Sequence, residues 1–157
     1  MENINRILVV SRMTKYCAEA VQQGVSLARK YDAELFLIHV MHNPFGLNGW
    51  NLPITSLKKD YEKAREEAKA DLDRLVANER EKGLRVSELI KEGDPTKEIL
   101  ATVEENRIDL IIMLAHEEGR LEHFLFGRSN EDLIRHIPCA IMLVKKEPGP
   151  VHWYANS

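Results

Sequence analysis

Residues 108–114 read IDLIIML, seven residues with a single charge, Asp109. The run is too short for a typical helix and lacks the polar alternation of a strand with one wet face. A strand covered on both faces fits it, and such strands belong to parallel sheets flanked by helices. The flanks agree. Upstream, GDPTKEILATVEENR (93–107) opens on a turn. Asp94 can cap a helix there, and Pro95 suits its first position. Downstream, after a loop, a short helix is expected at about 128–136. Pro138 then precedes CAIMLV (139–144), another apolar strand.

The first half repeats this alternation. RILVVS (6–11) is nearly continuous apolar. A helix follows, with Thr14 as its expected cap and a line through Cys17, Ala20, Val21, Gly24, Val25, Ala28 and Tyr31. ELFLIHVM (34–41) is a second strand, and HNPFGLNGWNLP (42–53) is a longish loop. A helix capped by Thr55 or Ser56 runs to about Lys82, with Leu57, Tyr61, Ala64, Ala68, Leu72 and Leu75 along its apolar line. Its other faces interleave Lys, Arg and Glu, the pattern of a solvated surface. Gly83 ends it, and LRVSELIK (84–91) is the third strand. Five strands alternating with four helices require parallel neighbours and right-handed crossovers.

Composition narrows the function. The 157 residues suit one domain, expected over 1–146, with 147–157 as a flexible polar tail. A net charge of −3 gives no general attraction to nucleic acid or anionic lipid. No apolar run nears the length of a membrane span, and no secretory signal is visible. Cys17 and Cys139 lack CxxC spacing and read as reduced thiols, so the cytoplasm is the expected compartment. No metal site is expected. His39 and His42 in HVMH lie on opposite strand faces, and His116 and His123 with Glu117 or Glu122 read as polar loop residues. No GxSxG elbow or other nucleophile–base spacing appears, so no catalytic residue is expected. Phe45, Leu47 and Trp50 read as packing residues of the 42–53 loop.

Five segments together resemble the universal stress protein family. They are ILVVSRMT (7–14), AELFLIHV (33–40), EGDPTKEIL (92–100), DLIIML (109–114) and LIRHIPCAIMLV (133–144). The resemblance implies an α/β, flavodoxin-like (adenine nucleotide alpha hydrolase-like) three-layer sandwich with a five-stranded parallel sheet. It also implies homodimers, here through the edge strand Ala140, Ile141, Met142, Leu143 and Val144. Ligands in such folds sit at the carboxyl ends of the strands. The implied pocket takes in Ser11, Arg12, Val40, Met113, Ala115, His116, Gly127, Arg128, Ser129 and Asn130.

Members that bind ATP carry an aspartate after the first strand and a loop patterned G-x-x-G-x₉-G-[S/T]. In this chain Arg12 stands at the aspartate position, Leu114 and Glu117 at the first two glycines, and Arg128 at the Ser/Thr. Gly127 keeps the third glycine. Side chains replace the glycines that let backbone approach phosphate. Glu117 and Glu118 add like charge, each costing about 3 kcal/mol at about 5 Å and an effective dielectric of about 20. The departures imply a stress-response or regulatory protein that acts through protein partners, needs no cofactor and does not bind ATP in the family manner. Arg12 and Arg128 leave open a sensor for a different small anion, such as a monophosphate nucleotide or a carboxylate.

Overall fold

The computed structural model describes residues 3–11, 17–41, 54–115 and 128–145, with 54–57 and 128–130 as backbone only. The elements run β1 (Arg6–Val10), α1 (Cys17–Tyr31), β2 (Glu34–Met41), α2 (Ile54–Glu81), β3 (Val86–Glu92), α3 (Pro95–Glu105), β4 (Leu110–Ala115), α4 (Arg128–His136) and β5 (Ala140–Lys145). All pairings are parallel and the strand order is β3-β2-β1-β4-β5.

The two faces of each strand bury two separate cores. Ile7, Val9, Leu35, Leu37, Ile112 and Leu114 meet α1 and α2 through Ala20, Val21, Leu72 and Val76. Leu8, Val10, Phe36, Ile38, Ile111 and Met113 meet α3 and α4 through Ile99, Val103 and Leu133. Burial on both faces explains why the central strands carry no polar alternation. Helix α1 comes close enough to the sheet to require glycine at position 24. A Cβ there would lie 2.5 Å from Val9 Cγ2 and 3.1 Å from Leu35 Cδ1.

Helix α3 starts as its sequence dictates. Asp94 Oδ1 accepts a hydrogen bond from the Lys97 N–H at 2.9 Å, and Pro95 opens the first turn. Gly93, at φ +126°, makes the bend out of β3 in a conformation that L side chains avoid.

Several expectations need correction. Tyr31, the last residue of α1, is exposed, not core. Ala64 is exposed as well, while Val76, not singled out in the sequence, is fully buried beside Leu72. Strand β3 begins at Val86 rather than Leu84, and β4 at Leu110 rather than Ile108. Asp109 instead ties strand starts together: its Oδ2 accepts the N–H groups of Asn5 at 2.8 Å and Arg6 at 2.9 Å. Strand β5 begins at Ala140 rather than Cys139 and extends to Lys145. Thr14, the 42–53 loop with Phe45, Leu47 and Trp50, His116, Glu117, Glu118, His123, Gly127 and the tail lie outside the described residues.

Candidate functional site

The chain builds outward from β1 in both directions. β2 and β3 lie on one side, β4 and β5 on the other. The crevice between the carboxyl ends of β1 and β4 is therefore the switch point, where α/β sheets hold ligands. Ser11 leaves β1 at this point. It is buried, and its N–H donates to the Ile38 carbonyl at 2.8 Å. Val9 pairs with Ile112, so continuing the register brings Ser11 level with Leu114. Met113 and Leu114 are buried and Ala115 is half-buried at the strand end. Val40 is half-buried near the end of β2, on the α3 side.

The fold thus brings Ser11, Val40, Met113 and Ala115 to one end of the sheet. Arg128, Ser129 and Asn130 form the first turn of α4, and their side chains lie outside the described residues, as do Arg12, His116 and Gly127. Neither Met113 nor Leu114 is an open pocket residue. Met113 belongs to the α3–α4 core and Leu114 to the α1–α2 core.

Two features here were not anticipated. His39 Nδ1 lies 3.0 Å from the Ser11 carbonyl. A carbonyl only accepts, so Nδ1 carries the proton and donates. Burial holds the His39 pKa below its usual value, only partly offset by that bond. The imidazole therefore clamps β2 to the exit of β1 as a neutral donor. On the same side, Glu92 at the end of β3 accepts from Arg65 Nη1 at 2.7 Å. The Tyr61 hydroxyl is also influenced by this carboxylate: its pKa is pushed up to about 12, by burial first and then by Glu92. The sequence shows His39 only as one of two histidines on opposite strand faces, and Tyr61 only as an apolar helix position. The available signal was a polar residue near the end of each strand, His39 in β2 and Glu92 in β3. Among the described residues no group of three or more His, Cys, Asp or Glu could hold a metal.

The pattern that defines the universal stress protein family matches residues 3–145. A universal stress protein of Methanocaldococcus jannaschii is 28% identical over 151 residues, spanning 92% of this chain and 85% of that one. Among solved structures, a universal stress protein from Lactobacillus plantarum superposes with a TM-score of 0.73 at 18% identity, covering 92% of this chain and 99% of the other. One from Archaeoglobus fulgidus, in complex with dAMP, gives 0.62 at 16% identity, covering 92% and 100%. These likenesses carry the parallel five-stranded fold, and the sequence match carries the lineage: the chain belongs to the universal stress protein family.

Proposed function

We propose that this protein is a non-catalytic stress-response or regulatory factor of the cytoplasm that works as a homodimer and does not bind ATP in the family manner. Leu114 carries this reading. It stands at the position of the first glycine in the family's ATP-binding pattern, yet it is 3% exposed and belongs to the α1–α2 core. It also pairs in register with Val144 on β5. A side chain committed to the core leaves no glycine there to turn backbone N–H groups toward a phosphate. Glu117 at the second glycine adds charge of the wrong sign. The edge strand Ala140–Val144, with Leu143 48% exposed, supports self-association. Cys17 and Cys139 form no disulfide, which suits a reducing compartment. Among the described residues no helix is long and apolar enough to cross a membrane. Isothermal titration with ATP and Mg²⁺ tests the central claim. The expected result is no saturable heat, and micromolar binding at one site per subunit overturns it.

One observation favours a second reading. The Archaeoglobus fulgidus relative was solved in complex with dAMP, and Arg128 opens the nine-residue helix α4. A helix N-terminus with an arginine suits a monophosphate. In this reading the pocket is retuned, with Arg12 and Arg128 gripping a small anion. Thermal shift with AMP then gives stabilisation that Arg128→Ala abolishes. A shift unchanged in that variant rejects the reading.

A further inference from the structure

The sheet has two edges, β5 and β3. In a parallel strand, successive residues turn their N–H and C=O groups to alternate sides. The Leu35 N–H donates to the Arg85 carbonyl at 2.9 Å, and the Gly93 N–H donates to the Met41 carbonyl at 3.0 Å. Odd-numbered residues of β3 therefore bond β2, and the backbone groups of Val86, Glu88, Ile90 and Glu92 face outward. Arg80 Nη2 reaches the outward Val86 carbonyl at 3.5 Å, which fixes the same alternation independently. The β2 pairing is one-to-one from Val86 to Glu92, without a bulge or proline. Such an edge can accept another strand.

A groove of about 610 Å³ runs along this edge, lined by residues 88–91 and by Glu62, Arg65, Glu66 and Lys69 of α2. These four helix residues are exposed and spaced i, i+3, i+4, i+7, so they form one stripe. Read from either end, the stripe is its own complement. Reversed, Glu62 falls on Lys69 and Arg65 falls on Glu66. A two-fold axis between Arg65 and Glu66 therefore brings each acid of the stripe against a base, and on β3 the carboxylates of Glu88 and Glu92 are already held by Arg80 and Arg65. The shared lining places residues 62–69 alongside 88–91, and the Arg65–Glu92 bond sets the stripe beside the carboxyl half of β3, where the axis meets the strand at Ile90.

We propose that a second copy of this chain docks on the β3 edge about this axis. The two β3 strands pair antiparallel through the outward groups of Glu88, Ile90 and Glu92. The two α2 stripes pair Glu62 with Lys69 across the axis, while Arg65, which holds Glu92 of its own chain at 2.7 Å, turns its remaining N–H donors to the second copy's Glu66. A two-fold interface needs one self-complementary patch, and this stripe is one. The edge is separate from β5, so this pairing is independent of any assembly through that strand.

Sedimentation velocity of the full chain tests it. Ile90→Pro removes an outward N–H and leaves the β2 ladder intact, and it is expected to halve the sedimenting mass. Circular dichroism checks that this variant is folded. Lys69→Glu sets like charges against each other twice and is expected to weaken association about tenfold. The exchange Glu62→Lys with Lys69→Glu rebuilds both pairs and is expected to restore wild-type association, which a merely local role of either residue does not explain. Equal mass for the wild type and every variant overturns the proposal. So does an exchange variant as weak as Lys69→Glu, and the charge series decides the matter even where Ile90→Pro fails to fold.

Discussion

At the scale of single residues, two positions set conditions that their chemistry makes testable. Gly24 lets α1 touch β1 and β2. A methyl group at 2.5 Å from Val9 Cγ2 meets a β-branched side chain with little freedom to turn away. Overpacking of this kind costs about 1–3 kcal/mol, against about 0.5–1 kcal/mol gained from replacing glycine inside a helix. Gly24→Ala is expected to lose about 1–2 kcal/mol in urea unfolding. His39 works through protons. Its native pKa lies below the usual 6.5, so the unfolded chain binds protons more readily. Stability is then full above about pH 6.5 and falls as pH drops from there toward the native value. Unfolding midpoints measured from pH 8 to 5 should fall less steeply in His39→Gln than in the wild type, with the two curves converging in slope above pH 7.

At the scale of elements, α2 and α3 are held by different means. α3 has a local start signal, and Asp94→Ala should cost about 1 kcal/mol by removing the bond to Lys97. α2 is 28 residues long, yet its buried anchors are Ala68, Leu72 and Val76. Leu72→Ala should therefore cost more, about 2–5 kcal/mol. Calorimetry on the two variants gives the ranking, and equal losses contradict this account. The same contrast explains what was legible in the sequence. The order of elements was plain because apolar runs mark buried strands, and Asp94–Pro95 announced α3 because caps act within one turn. The burial of Val76 and the exposure of Tyr31 and Ala64 were not legible. Periodicity gives a helix's apolar side but not how far the sheet extends beneath it. The site was legible only in part. The family pattern led to Ser11 and Leu114, whereas the His39 clamp and the Tyr61–Arg65–Glu92 group depend on which strands become neighbours.

At the scale of the whole molecule, the order β3-β2-β1-β4-β5 places β1 and β4 inside and leaves β3 and β5 at the margins. Leu8, Val9, Ile111 and Ile112 are buried from both sides. Amide exchange should be slowest in these two strands and reach the global unfolding limit there. Within β3 it should alternate, slow at Leu89 and Lys91 and faster at Ile90 and Glu92, in a preparation dilute enough to be monomeric. Uniform protection along β3 of such a preparation contradicts the assigned direction of its backbone groups.

The central place of β1 also has a consequence in time. Its partner on one side, β2, follows soon after in the chain, but its other partner is β4, more than a hundred residues away. During synthesis the first three strands can join while β1 still presents a bare apolar margin. The 17 residues 93–109 separate the end of β3 from the start of β4, or about 1–3 s at about 5–20 residues per second. For that interval the nascent chain holds a sticky half-sheet, and its need for chaperone cover is set by translation speed through residues 93–115.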